Sequence, residues 1–304
     1  MNSSNSSSER KDNLPLAVGV IIVTVLALSL GDALIKMTSS NFVIWQIFVI
    51  RSAIAIPCLL LYMATTARAS LQTPVALVWT MLRSFLLMSM WVSYYISLPN
   101  LTLSVAAAAY YTLPIFITLF SSMIVGDTIT RRGWIAVFIG FLGVFLILRP
   151  GVGDFNWYAL LPLFSAILYA FAMILTRTKC RAEHPLMLSL ALNICFVLVG
   201  AVVAAVIATV PDESRLGFLL APWGKLDLSG WISMGLLAIA ILIGSIGAAI
   251  AYQNGPPSVI GIFDFAYVGF AVIWGIVFFN EIPDIVSIIG MVLIVVAGYI
   301  SLRQ

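Results

Sequence analysis

Ten apolar stretches, most about 20 residues long and parted by short polar breaks, fill this chain from Pro15 to Leu302. A hydrocarbon layer of about 30 Å is crossed by roughly 20 helical residues at about 1.5 Å each, so every stretch has the length of one crossing. With 62% hydrophobic residues, 9% charged residues and a mean hydropathy of +1.12, no water-soluble fold could cover this much apolar surface. The sequence therefore predicts an all-α integral membrane protein whose lipid bilayer is its solvent. Ten crossings consume nearly all of the 304 residues and leave no room for a separate soluble domain.

The expected helices are 15–37, 43–63, 75–97, 101–125, 133–149, 156–177, 185–209, 230–252, 257–280 and 284–302. Turn chemistry marks several breaks: Pro99-Asn100, Gly126-Asp127, Arg149-Pro150-Gly151-Val152-Gly153 and Asn254-Gly255-Pro256-Pro257. Residues 1–14 open with Ser, Asn and charges, too polar to pack, and read as a disordered cytoplasmic tail. The first apolar run is long enough to span and has no small-residue cleavage site, so it reads as a crossing and not as a cleavable signal. In the longest loop, about 210–229, Trp223 and the nearby Trp231 suit the headgroup level.

Alternating sides with each crossing, Arg10, Lys11, Arg68, Arg131, Arg132, Arg177, Lys179, Arg181 and Arg303 fall on the side of both termini, against Arg149, Arg215 and Lys225 opposite. That imbalance places both ends in the cytoplasm, and an even number of crossings is what keeps them together. The net charge of +3 thus bears on topology and not on nucleic acid. Cys58, Cys180 and Cys195 form no close-spaced pair, which argues against a disulfide framework or zinc site. His184, the single histidine, stands at a helix start beside Pro185 without ligand-spaced partners, so a surface or interfacial role is expected and no metal or cofactor is implied.

Setting residue 104 against 258 brings Ser104-Val105 through Gly126-Asp127 over Ser258-Val259 through Asn280-Glu281 without a gap. Identities include Ser104/Ser258, Val105/Val259 and Phe116/Phe270. If each half has five crossings, the second enters from the opposite face, and the halves are inverted copies about an axis in the membrane plane. Two such halves can exchange conformations and open one central site alternately to either side.

Five ionisable residues fall within the expected spans: Asp32, Lys36, Arg51, Arg83 and Asp264. Insertion of Arg, Lys or Asp at a span's centre costs about 2.5–3.5 kcal/mol, so such residues face a bundle interior or a watery cavity. Asp32 and Lys36 have the i, i+4 spacing of an ion pair on one helix face. Lys36, at its helix end, is also able to snorkel. Arg51 and Arg83 have no carboxylate at helical spacing and need partners on other helices, on carbonyls or on a bound anion, which makes each a substrate or gating candidate. Asp264 is either a proton carrier or a partner for one of these cations; with Asp32 it is the candidate for coupling to a proton.

Aromatics gather near the same helices, among them Trp91, Tyr94, Tyr95, Tyr110, Tyr111, Tyr252, Phe265 and Tyr267. A cavity lined by tyrosines and cations suits an aromatic or amphiphilic organic solute with a polar end, so Tyr95, Tyr110, Tyr111 and Tyr267 join the binding candidates. Small residues at Ala106 to Ala109, Gly140 with Gly143, and Gly244 with Gly247 allow close helix approach. Pro114, inside the fourth span, removes a backbone hydrogen bond and predicts a bend beside the cavity.

The order and spacing of Asp32-Ala33-Leu34-Ile35-Lys36, Trp45-Gln46-Ile47, Arg51, Arg83-Ser84 and Leu113-Pro114-Ile115-Phe116 resemble the EamA-like, ten-helix type of the drug/metabolite transporter superfamily. Gly126-Asp127, Gly140-Phe141-Leu142-Gly143-Val144, Arg149-Pro150-Gly151 and Asn280-Glu281 extend the resemblance over residues 15–302. It implies two inverted five-helix repeats, 15–149 and 156–302, with alternating access for a small organic solute. It places Asp32, Arg83, Tyr110 and Asp264 at the cavity. Two departures stand out. Gly126-Asp127 replaces the family's Gly-Glu, and Val268 stands where the ninth helix usually carries proline, which argues against a symmetric bend in the two halves.

The acidic residue and lysine four apart, followed by an arginine in the second span, are similar to bacterial importers of riboflavin-like or S-adenosylmethionine-like solutes. An exporter of amino acids or drugs in the same superfamily is the nearest alternative. The expected protein is a secondary transporter of the bacterial cytoplasmic (inner) membrane, since no Walker motif is present to drive a primary pump. An integral-membrane enzyme acting on lipid needs a nucleophile or general base, yet no catalytic constellation accompanies His184. A channel would show a selectivity element, and none is found.

Overall fold

The computed structural model describes residues 12–71, 74–124, 126, 130–148 and 156–301. The tail before Asp12, Asp127, the turn at 149–153 and Arg303 lie outside the described residues. The helices are α1 (Leu14–Thr38), α2 (Ile44–Thr65), α3 (Leu77–Ser97), α4 (Leu103–Tyr110), α5 (Leu113–Ile124), α6 (Arg131–Leu148) and α7 (Leu160–Thr178). They continue as α8 (Pro185–Ile207), the short α9 (Gly217–Leu220), α10 (Leu228–Asn254), α11 (Pro257–Phe263), α12 (Ala266–Phe279) and α13 (Ile285–Ser301). No strand occurs among the described residues.

Local chemistry sets the starts. Asn13 caps α1 by accepting from the Leu16 amide at 3.2 Å, and Asp227 caps α10 through Gly230 N at 2.7 Å. His184 does the same for α8, its Nδ1 accepting from Leu186 N at 3.2 Å with Pro185 in the first turn, which accounts for that histidine structurally.

Among the described residues, seven helical segments are long and apolar enough to cross a membrane: 14–38, 44–65, 103–124, 157–178, 185–207, 228–254 and 259–279. Phe138, Phe141, Leu198, Val202, Val277 and Val295 project from the outside of the bundle, where a soluble protein would place polar groups. The molecule is a multi-pass membrane protein.

Two of the seven segments are interrupted. The first breaks at Tyr111-Thr112 between α4 and α5, the second at Asp264-Phe265 between α11 and α12. The offset that sets 104 against 258 also sets 111 against 265, so the two breaks occupy matching places. The expectation of an asymmetric bend is therefore corrected. Pro114 lies in the first turn of α5, where its missing N–H has no helical partner to lose, and the break falls just before it. Around the break Thr112 N donates to Ala109 O at 3.3 Å and Ile115 N to Thr112 O at 3.0 Å. In the second half Tyr267 N donates to Asp264 O and Val268 N to Phe265 O, both at 3.0 Å. These i→i+3 bonds tighten the turn without a proline, which is why Val268 serves where Pro114 stands.

The helices pack as α6 against α13, α1 against α10, α3 against α7 and α2 against α8, while α12 lies along α1 and α5 along α7. Glycine permits the closest crossing: a Cβ at Gly143 would stand 2.6 Å from Gly290 O, and one at Gly290 would stand 2.6 Å from Gly143 O. Gly244 and Gly247 likewise make room for Leu28 and Thr24 of α1.

Candidate functional site

The interrupted spans leave polar backbone and side chains at the middle of the bundle, facing α1, α3 and α7. Asp32 of α1 is 1% exposed, and its Oδ2 accepts a hydrogen bond from the Tyr267 hydroxyl in the first turn of α12. Since Tyr267 spends its one proton there, Tyr94 donates to Tyr267 at 2.9 Å. The other carboxylate oxygen, Oδ1, is buried without a partner. Asp264 sits at the α11–α12 break and accepts from the Tyr252 hydroxyl of α10. Its partner is a phenol, not one of the buried cations.

Rings complete the enclosure. Tyr111 stacks on Tyr267 with centroids 5.2 Å apart, and Tyr110 lies 5.2 Å from Tyr94 and 5.9 Å from Tyr169. Inside them is a void of about 20 Å³ lined by Asp32, Asp264, Tyr110, Tyr111, Tyr169 and Tyr267, among others. That space holds about one water, so the site is closed around almost nothing. A second void of about 20 Å³ adjoins it and shares Leu28, Met90, Trp91 and Tyr169 as its wall; Arg83 lies on its far side.

The two buried arginines are held differently. Arg83 of α3 is 0% exposed and donates through Nε to Thr176 Oγ1 of α7 at 2.6 Å, while Nη1 and Nη2 have no partner. Arg51 of α2 lies over Phe196 at 4.5 Å, Phe48 at 4.8 Å and Tyr95 at 5.7 Å, and donates through Nη1 to the Tyr95 hydroxyl at 3.3 Å, while its Nε and Nη2 lie among these rings with no hydrogen-bond partner. It lines neither void.

Of the eight binding candidates from the sequence, Asp32, Tyr110, Tyr111, Asp264 and Tyr267 meet around the central void and Arg83 borders its neighbour. Arg51 and Tyr95 sit one layer back. The i, i+4 pair of Asp32 with Lys36 does not form. Lys36 instead reaches across the bundle to Glu281 at 2.5 Å and to Leu101 O at 2.7 Å, and Glu281 Oε2 accepts from Leu103 N at 2.8 Å. At the helix end Lys36 thus ties α1 to the starts of α4 and α13 and is not left to snorkel.

Tyr169 and Met90 were missed by sequence reasoning. Tyr169 lies on α7, outside the two stretches compared when residue 104 is set against 258. At the opposite end Asp12 makes a bidentate pair with Arg177, both contacts 2.9 Å, and meets Arg181 at 2.6 Å. The Arg177 hydrogen bond, with further attraction from both guanidiniums, holds the Asp12 carboxyl below its usual range. A wider cavity of about 840 Å³ lies apart from the central groups, lined by Cys58, Tyr62, Glu183, His184 and Asn254 among others.

Polar groups this costly are kept inside an apolar bundle where a solute passes, and the class defined here is a multi-pass membrane transporter. The chain matches the EamA-like transporter family over residues 15–149. It is 25% identical over 289 residues to the pseudopaline exporter CntI of Pseudomonas aeruginosa, covering 94% of this chain and 95% of that protein. A riboflavin transporter of Rhizobium johnstonii is 34% identical over 80 residues, 26% of each chain. An S-adenosylmethionine uptake transporter of Rickettsia bellii is 22% identical over 294 residues, 93% of this chain and 91% of that one. A crystal structure superposes with a TM-score of 0.59 at 17% identity over 94% of this chain and 95% of its own, a likeness of fold.

Proposed function

We propose that this chain is a secondary carrier that moves a small organic metabolite across a bacterial cytoplasmic membrane by alternating access. The observation that carries the reading is the closed central cage, in which Asp32, Asp264 and the tyrosines meet between two interrupted spans. Interrupted helices at the midplane are where such carriers hold solute and coupling ion. Relatives named for riboflavin, S-adenosylmethionine and pseudopaline support a small organic metabolite as the solute.

In this reading α3, α6 and α13 add three crossings to the seven, giving ten, with residues 15–149 and 156–302 as inverted repeats. The packing supports it. Exchanging the halves turns the contact of α1 with α10 into that of α7 with α3, and that of α1 with α12 into that of α7 with α5, while α2–α8 and α6–α13 map onto themselves. Both termini, with the tail 1–14, face the cytoplasm. Asp32, Arg83, Tyr110, Tyr111, Asp264 and Tyr267 contact solute, Arg51 and Tyr95 support them, and Asp264 and Asp32 carry the coupling proton.

The test is uptake and counterflow in proteoliposomes with a proton gradient applied. Asp264→Asn or Asp32→Asn loses accumulation while retaining exchange. Accumulation that survives both substitutions together rules out these carboxylates as proton carriers.

A further inference from the structure

A guanidinium that is wholly buried normally finds a carboxylate or a full set of acceptors, because an uncompensated interior charge costs several kcal/mol. Arg83 has only Thr176, and its two terminal nitrogens border a void with no acceptor on them. The same wall of Met90, Trp91 and Tyr169 that bounds this void also bounds the one holding Asp32 and Asp264. One cavity system therefore carries carboxylates at one end and a bare guanidinium at the other. Tyr94, which closes the acidic end, follows Arg83 by three helical turns on α3, about 16 Å along the axis.

Building on the carrier reading, we propose that the solute is an elongated zwitterion. Its cationic or amine-bearing end lies among Asp32, Asp264 and the tyrosine rings, a planar or apolar middle crosses Trp91 and Tyr169, and its carboxylate is taken by the Nη1 and Nη2 fork of Arg83. The Arg83 end answers an unmet need, since its Nη1 and Nη2 lack acceptors, and the other end sets the Asp32 and Asp264 carboxylates beside tyrosine rings. The faces of Tyr94, Tyr110 and Tyr111 favour a positive centre, and a carboxylate on the guanidinium fork makes two parallel charge-assisted hydrogen bonds. Binding opens the two voids into one, since each alone holds about a water.

The probe is S-adenosylmethionine, which offers a carboxylate to Arg83 and, beyond it, a sulfonium and an adenine ring to the acidic, tyrosine-lined end. It is compared in proteoliposome counterflow with its decarboxylated form, with S-adenosylhomocysteine, which lacks the sulfonium charge, and with uncharged riboflavin. The expected result is saturable exchange of S-adenosylmethionine with each truncated analogue about tenfold or more weaker. Arg83→Gln then removes the advantage of S-adenosylmethionine over its decarboxylated form, and an unchanged melting temperature and size-exclusion profile in detergent show that the variant is folded. Arg83→Lys, which keeps the charge but loses the fork, falls between.

The inference is overturned, with the carrier intact, if the decarboxylated form competes as well as the parent, if Arg83→Gln weakens every probe by the same factor, or if only riboflavin exchanges. Absence of saturable exchange for all four probes counts against the carrier reading itself.

Discussion

Arg51 and Arg83 carry the same charge, are equally buried and each leave two guanidinium nitrogens without a hydrogen-bond partner, yet their surroundings differ. Arg51 is enclosed by Phe48, Tyr95 and Phe196 and faces no void. Arg83 is anchored at Nε alone and presents its other nitrogens to empty space. The contrast separates a cation that organises the bundle from one kept ready for a ligand. Burial by itself does not distinguish the two; the identity of the atoms around the charge does. Lys36 gives a third case, a cation fully spent on Glu281 and a carbonyl at the end of the bundle.

The largest effect should come from replacing Arg83 with methionine. Transport of a carboxylate-bearing solute falls at least a hundredfold, while thermal stability is unchanged or rises, because an unsatisfied interior charge has been removed. Lost transport accompanied by a collapse in stability would erase the distinction from Arg51. Next in size is Lys36→Ala, which strands Glu281 and lowers unfolding free energy by about 1–3 kcal/mol, less than for a fully buried pair because solvent reaches both groups; chemical denaturation of the detergent-solubilised protein measures it. Arg51→Lys exchanges a flat guanidinium for a compact ammonium among three rings and should cost about 1–2 kcal/mol of stability. Its transport per folded molecule is expected to stay near that of the parent, so abolished transport at an unchanged melting temperature would place Arg51 with Arg83.

The smallest effect concerns Asp12, a partly exposed ion pair. Its carboxyl is held below the ordinary range by Arg177, so its contribution to stability is present at neutral pH and fades as pH falls through that lowered value. Melting temperatures of the parent and Asp12→Asn should differ slightly at pH 7 and converge in acid. A gap that widens in acid would mean that the pair does not form.

The positions of the spans were legible because a bilayer imposes a length, and the ends of α1, α2 and α8 fall within about two residues of the stretches read from the sequence. The acidic and aromatic residues of the cage were also visible, since an ionisable group in an apolar run has few structural excuses. What escaped the sequence depends on partners far along the chain. Lys36 bypasses Asp32, four residues away, for Glu281, 245 residues away, a choice that only the packing of α1 beside α12 decides. The break in the second half has no proline to announce it, and three-residue turns at Asp264 and Phe265 make it instead. Tyr169 is an ordinary tyrosine in an apolar helix until α7 packs beside α3 and α4.

Alternating access requires one central site that opens to each side in turn, and Leu113, which lines the void with Tyr111, reports on it directly. Leu113→Cys, in a protein whose Cys58, Cys180 and Cys195 are serine, is challenged with a membrane-impermeant thiol reagent in right-side-out and in inverted vesicles. Alternating access predicts labelling from both faces, slowed by a transported solute. Labelling from one face only, indifferent to solute, would contradict it.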